Sequence, residues 1–208
     1  MINVELGYIK HAGPKQTAIA NDAINSLNYA LNHPDFKSRL LNAYFKELMF
    51  QPKGGPERRI TPIEAYEKLV DGAELGGVVD GVITINVKLK KYRHVGVWNF
   101  GDDYFTTAYW VINRAISAGN HIGLAANFIH EWCHVAGFRH HPNNNARDDM
   151  PYNLGNIVSD LLRERIAEEN GINKSLSKKL SAPYIHDFMI CGAEAEEEGE
   201  TGTPDMIY

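Results

Sequence analysis

The 208-residue chain contains only two cysteines, Cys133 and Cys191, and no run of about 18 consecutive apolar residues. Two cysteines are too few for a disulfide framework, which excludes a small secreted domain stapled by disulfides. Without a long apolar run, no segment is a candidate membrane span. The 21 basic and 26 acidic side chains give a formal net charge of −5. Because the basic side chains form no block that would follow a phosphate backbone, we do not expect nucleic acid as a partner.

The N-terminal residues also lack the basic-then-apolar order of a signal peptide. As written, the chain is therefore expected to be cytoplasmic, and it would be secreted if the sequence is that of a mature form. With 208 residues and 44% hydrophobic content, the chain is long enough to bury a full core. We expect one main domain, and nothing in the sequence indicates an oligomeric state.

Apolar spacing predicts three helices in the first third of the chain. Residues 17–31 carry apolar side chains at intervals of three and four. A second helix is predicted from Asp35, and the breaker-rich residues 51–56 close it. A third is predicted after Thr61, because Thr-Pro-Ile-Glu forms a capping box with proline at the first helical position. The first quarter of the chain is thus predicted to be helical.

The remaining pattern combines strands with helices. Alternating apolar and polar residues at 83–89 predict a half-buried strand, and a second strand at 95–100 is expected to pair with it. Residues 106–117 fit a helix or a strand leading into one. Further helices are predicted at 121–136 and from residue 154 to residues 170–171. Helices around one run of strands indicate an α+β fold.

Two histidines, His130 and His134, stand four positions apart on the helix predicted at 121–136. This spacing places both imidazoles on one helix face, where they can converge on one ion. Glu131 follows His130 and is rotated by about 100° around the helix, so it can reach a water on the metal without ligating the metal itself. Gly137 can adopt the left-handed conformation that turns the chain and returns His140 as a third ligand. These residues predict a catalytic metal site.

Chance does not explain the pattern. From the residue frequencies of this chain, the two histidines with their glutamate would arise about 0.03 times, and with the added glycine and histidine roughly 10⁻⁴ times. One alternative remains for the third ligand, because His141 adjoins His140.

The pattern from His130 to His140 resembles the long zinc-binding consensus HExxHxxGxxH of the metzincin peptidases. The resemblance covers about residues 121–160. It implies one catalytic Zn²⁺ held by His130, His134 and His140, with Glu131 as the general base in the hydrolysis of a peptide bond. It also implies a small mixed sheet above the active-site helix, extra N-terminal helices, and a C-terminal helix after a methionine turn.

On this basis we expect a single zinc peptidase-like domain at residues 1–192. It would comprise a helical lobe at 1–75 and a metal-binding lobe at 76–192. The Gly- and Glu-rich residues 193–208 are predicted to be an acidic tail.

The same resemblance implies roles for two residues after His140. Metzincins share a methionine turn that lies beneath the metal, and Met150 is the candidate here. The order Met-x-Tyr resembles the subset in which the tyrosine ligates the resting metal and then donates a hydrogen bond to the oxyanion. This implies a catalytic role for Tyr152, with simple packing as the alternative. The loop before Met150 is short and Pro151 fixes its backbone, so the floor can differ from that of larger relatives.

The resemblance further implies that a peptide substrate binds in extended form along an exposed sheet edge. Residues 96–100 are the candidate edge, with Trp98, Asn99 and Phe100 as substrate-binding residues. Ordinary core aromatics on an internal strand are the alternative.

Two rival functions remain open. The same site would serve a metallohydrolase that acts on a non-protein or cell-wall amide. A binding or toxin-like module would keep zinc as a structural staple, and a fourth ligand such as Asp148 or Asp149 would favour it.

Overall fold

Strands and helices are interspersed along the described part of the chain. The computed structural model describes residues 1–72, 74, 79–91, 96–97, 102–140 and 148–171. The strands are β1 (Asn3–Lys10), β2 (Met49–Phe50), β3 (Arg58–Arg59), β4 (Val82–Lys90), β5 (Gly96–Val97), β6 (Phe105–Ala108) and β7 (Phe138–Arg139). The helices are α1 (Pro14–Leu31), α2 (Phe36–Leu41), α3 (Pro62–Asp71), α4 (Tyr109–Ala118), α5 (His121–Ala136) and α6 (Met150–Glu169). The α+β composition predicted from the sequence is confirmed.

The main sheet is mixed and has four strands in the order β1-β4-β6-β5. Strands β1, β4 and β6 are parallel, whereas β5 runs antiparallel to β6 at the edge. The alternation predicted for β4 is confirmed, because its apolar side chains are buried in the core: these are Ile83, Ile85, Val87 and Leu89.

Helix α5 lies at the centre of the packing. It contacts α1, α4 and α6 on its sides, and strands β5, β6 and β7. The ring of Phe128 on α5 packs at 5.6 Å from the ring of Phe105 on β6. Every residue of α5 from Leu124 to the end of the helix is buried. Any functional side chain on this helix is therefore held by packing on several sides.

A second, three-stranded sheet joins the N-terminal part of the chain to the end of α5. Its order is β3-β2-β7, and all pairs are antiparallel. The rings of Phe50 on β2 and Phe138 on β7 meet edge to face at 5.5 Å. The backbone amide of Gln51 donates to the backbone carbonyl of Gly137 at 2.8 Å. The chain immediately after α5 is thus fixed by residues about ninety positions earlier in the sequence.

Several helix boundaries were predicted correctly because local capping sets them. Thr61 accepts a hydrogen bond from the Glu64 amide at 3.2 Å, and Glu64 accepts one from the Thr61 amide at 2.8 Å. This is the predicted capping box of α3. Helix α5 begins after Asn120 and ends at Gly137, as predicted. Residues 106–117 prove to be a strand that leads into a helix, β6 followed by α4.

The prediction that the first quarter is helical is wrong, because the chain begins with strand β1. Side chains of α1 bond the backbone of this strand: Asn28 accepts from the Val4 amide at 2.9 Å and donates to the Val4 carbonyl at 2.7 Å. Asn32 does the same for Ile2. These amides and the pairing with β4 stabilise an extended segment that has no strong strand pattern of its own.

Three further boundaries differ from prediction. Helix α2 ends at Leu41, well before the predicted end near residues 51–56, and residues 49–50 form strand β2. Strand β5 pairs with β6 and not with β4, because β1 and β6 occupy the two sides of β4. Helix α6 begins at Met150, earlier than its apolar stripe indicates, because Asp149 caps it.

The division into lobes stays a prediction, as does the tail at 193–208, which lies outside the described residues. Strand β1 from the first lobe and β4 from the second pair in one sheet. Among the described residues, no helix combines the length and the apolar character needed to cross a bilayer.

Candidate metal centre

Helix α5 carries three of the predicted site residues in its last two turns. Asn120 starts the helix by accepting hydrogen bonds from the amides of residues 122 and 123, at 3.1 and 3.3 Å. Near the other end, His130 and Glu131 are each 1% exposed and His134 is 8% exposed. Two imidazoles and one carboxylate are thus held inside the protein on a helix that cannot shift without disturbing the core.

A glycine bend brings in the third histidine. Gly137 ends α5 with φ of 105°, in the left-handed region that side chains disfavour, as the sequence predicted. The chain then forms β7, which pairs with β2 and sets the direction of the residues that follow. His140 comes directly after β7, with 25% of its side chain exposed.

The three imidazoles converge. One ligand nitrogen from each of His130, His134 and His140 lies within 4.8 Å of the other two, and no other group of three metal-ligating side chains in the described part of the chain does this. The Nε2 atoms of His134 and His140 are 3.1 Å apart. Two nitrogens bound tetrahedrally to zinc at about 2.0–2.1 Å would be about 3.4 Å apart. The cluster therefore fits one metal ion.

The other nitrogens of two rings are held by oxygen acceptors. Nδ1 of His134 lies 3.0 Å from the carbonyl oxygen of Phe138, and Nδ1 of His140 lies 2.8 Å from Oδ2 of Asp149. Since a carbonyl and a carboxylate accept, each Nδ1 is the donor. Each Nε2 then keeps a lone pair for a metal.

Burial keeps the two helical histidines neutral. It lowers the pKa of His130 well below the usual value of 6.5, and nearby His134 and His140 lower it further. Burial, followed by His140, lowers the pKa of His134 to about 3. Imidazoles must be neutral to bind a metal, so both rings are in the competent form at neutral pH.

The start of α6 lies beside the same cluster. The Tyr152 ring is 4.8 Å from the His130 ring and 5.0 Å from the His140 ring, between centroids. Met150 is the first residue of α6 and is fully buried. The structure therefore brings the predicted Tyr152 to the histidines, while the role of Met150 as a floor beneath the metal stays a prediction.

The chain matches no family model, no curated protein and no solved structure. The geometry itself establishes three histidines able to hold one metal ion, at the spacing of HExxHxxGxxH.

Four of the predicted residues are not among those that the structure describes. Trp98, Asn99 and Phe100 lie outside the described residues, as does His141, the alternative third ligand. Gly96 and Val97, the two residues before Trp98, form β5, which is at the sheet edge as predicted.

The sequence suggested only one role for Asp149, that of a fourth metal ligand. It lies instead on Nδ1 of His140, away from the nitrogen that faces the other histidines, and Oδ1 of the same side chain accepts from the Tyr152 amide at 3.2 Å. A capping aspartate two positions before Pro151 is the signal that could have revealed part of this arrangement. The side chain of Asp148 is not in the metal cluster. The backbone carbonyl of Asp148 accepts from the backbone amide of Lys46 at 3.0 Å.

Proposed function

We propose that this chain is a zinc-dependent peptidase of the metzincin type, which hydrolyses peptide bonds with Glu131 as general base. The observation that carries the proposal is the convergence of His130, His134 and His140 next to that buried glutamate. A structural zinc site usually has four protein ligands, whereas three histidines leave a position open for a reactant.

The surroundings of the cluster support the same assignment. The metal-site helix α5 packs against a small mixed sheet and contacts its antiparallel edge strand β5. An edge strand offers unpaired backbone groups to which an extended peptide can add, whatever its side chains. We therefore place the substrate along β5, with Trp98, Asn99 and Phe100 next in sequence as the contacts. A small mixed sheet packed on the metal-site helix is what the metzincin resemblance implies, and it supports the proposal.

The ion proposed for the site is zinc, because neutral imidazole nitrogens in a three-ligand set with an open position are typical of catalytic zinc. When bound, zinc polarises the substrate carbonyl and makes a water molecule acidic near neutral pH.

Glu131 is the proposed proton carrier. It follows His130 on the helix and is 1% exposed, so its carboxylate is shielded from bulk solvent. It takes the proton from the attacking water and then delivers it to the departing amine nitrogen, serving first as base and then as acid. Tyr152, whose ring adjoins two of the histidines, donates a hydrogen bond to the oxygen on which negative charge develops.

The test combines metal analysis with hydrolysis of a mixed peptide library by the natural protein, Glu131→Gln and the control Glu67→Gln. Glutamine keeps the shape of the buried side chain, and Glu67 is exposed on α3. We expect about one zinc per chain in all three proteins. Turnover should fall about 10²–10⁴-fold in Glu131→Gln alone.

Equal turnover in Glu131→Gln would remove this residue from the mechanism. Hydrolysis of cell-wall fragments but not of peptides would favour the rival amide hydrolase. Zinc binding without any hydrolysis would favour the binding module.

A further inference from the structure

We infer that Asp149 is a positioning residue that orients the third metal ligand and ties it to the start of α6. The inference rests on the proposed metal site but not on peptide hydrolysis. It concerns a carboxylate that lies outside the zinc-binding consensus and outside the three-histidine cluster.

Both carboxylate oxygens of Asp149 are engaged. Oδ2 is 2.8 Å from Nδ1 of His140, and Oδ1 accepts from the backbone amide of Tyr152 at 3.2 Å. The side chain is 1% exposed. Water therefore does not compete for these bonds, and the carboxylate holds one ring and one helix end together.

His140 needs such support more than the other ligands do. His130 and His134 stand on a buried helix whose backbone fixes their spacing. His140 follows a two-residue strand and is 25% exposed, so its backbone constrains the ring less. The Nδ1 of His134 is oriented by a backbone carbonyl, whereas that of His140 is oriented by a charged side chain.

A carboxylate on the far nitrogen of a metal-binding imidazole has two effects. It fixes the tautomer that leaves Nε2 free for the metal, and it makes that nitrogen a stronger donor to the metal. Because the same side chain caps α6, it also sets where Tyr152 stands relative to His140. The cap itself is braced, since the Asp148 carbonyl accepts from the Lys46 amide and Asn153 donates to the Tyr44 carbonyl, each at 3.0 Å.

The two roles of Asp149 can be separated by substitution. Asp149→Asn keeps the shape and the helix cap but removes the charge beside His140. Asp149→Ser also caps a helix, but its short side chain does not span the distance to His140. Asp149→Ala removes both functions. Asp148→Asn is the matched control, because it changes the adjacent carboxylate and leaves the carbonyl that bonds Lys46.

The experiment measures zinc affinity by competition with a chromophoric chelator, and the thermal midpoint of each metal-free protein. We expect zinc binding about 10–100-fold weaker in the Asn, Ser and Ala variants and unchanged in Asp148→Asn. The metal-free midpoint should fall most in Asp149→Ala, which alone lacks a capping side chain. With cobalt in place of zinc, the visible bands of the three Asp149 variants should change, since they respond to how His140 is placed.

If Asp149→Ser binds zinc as tightly as the natural protein while Asp149→Ala has a lower thermal midpoint, Asp149 is only a helix cap and the inference is overturned. Failure of the natural protein to bind zinc would overturn the metal site and the inference with it. Zinc binding with no peptide hydrolysis would overturn only the proposed function.

Discussion

Tyr152 is the residue beside the three histidines to which the proposed function gives a catalytic role. Its ring lies beside the rings of His130 and His140, and its backbone amide is bonded to Asp149. A phenol held there can donate a hydrogen bond to an oxygen bound opposite the histidines. Ordinary packing of an aromatic ring against two imidazoles would give the same contacts, so the hydroxyl has to be tested separately from the ring.

Tyr152→Phe makes that separation, because it removes only the hydroxyl. If the hydroxyl stabilises the oxyanion, kcat for peptide hydrolysis should fall about 10²–10³-fold. Zinc content should not change, since the three histidines remain. Tyr44→Phe, at a position 70% exposed, is the control and should retain full activity. Undiminished kcat in Tyr152→Phe would leave the residue with a packing role only.

Among the elements, the bend after α5 decides whether the third ligand reaches the other two. Gly137 has φ of 105°, and its carbonyl accepts from the Gln51 amide. A side chain at this φ is strained. The bend sets the direction of β7 and therefore the position of His140. A side chain at residue 137 should then lower zinc affinity as well as stability.

Gly137→Ala should therefore lower the free energy of unfolding by about 1–2 kcal/mol and weaken zinc binding. Gly119→Ala is the matched control, because Gly119 also has positive φ, 58°, and has open space where a Cβ would be built. It should lose similar stability yet bind zinc normally. Denaturant unfolding and chelator competition on both variants check this, and equal zinc affinity in the two would show that the bend does not position His140.

Helix α5 is also bonded to strand β4 through a partly buried acid, Glu74. Oε1 of Glu74 accepts from the Trp132 indole and from the Thr84 amide, each at 3.0 Å. Burial raises the pKa of Glu74 above its usual 4.5, although these two hydrogen bonds act in the opposite direction. Glu74 thus connects Trp132 on α5, the residue after Glu131, to Thr84 on β4. This contact costs the partial desolvation of its carboxylate.

The raised pKa predicts a pH dependence of stability. Between pH 4.5 and the folded-state pKa, the folded protein binds more protons at Glu74 than the unfolded chain does. Stability from this group is therefore complete below pH 4.5 and is lost as the pH rises through the folded pKa. Glu74→Gln keeps the acceptor without titrating, so its stability relative to the natural protein should increase across that window.

Glu74→Ala should instead cost about 1–3 kcal/mol, because the buried Trp132 indole loses its acceptor. Unfolding curves of the three proteins from pH 4 to pH 8 measure both effects. Parallel pH profiles for the natural protein and Glu74→Gln would refute the assignment to this carboxylate.

For the whole molecule, an N-terminal segment closes around the site. The backbone amide of Gln51 donates to the Gly137 carbonyl, and its side-chain oxygen accepts from the Arg139 guanidinium at 2.7 Å. The Tyr44 carbonyl accepts from Asn153 on α6, and the Lys46 amide donates to the carbonyl of Asp148, just before α6. Residues 44–51 thus contact the chain on both sides of His140, the third residue of the candidate metal site.

The parts of this architecture that were predictable from sequence are those set by local chemistry. The two helical histidines, the cap at Asn120 and the left-handed Gly137 could all be inferred from neighbouring residues. Strand β1 could not, because it depends on Asn28 and on β4, far along the chain. The bond between Asp149 and His140 was also missed, since it requires knowing where β7 ends and α6 begins.

The proposed function depends on three imidazoles binding one zinc ion. The most direct measurement is a crystal structure of the zinc-loaded protein with anomalous data at the zinc absorption edge. We predict a single peak about 2.0–2.1 Å from one nitrogen of each of His130, His134 and His140. A peak bound by His141 in place of His140, a fourth protein ligand on the ion, or a His140 ring turned away from the other two would contradict the account.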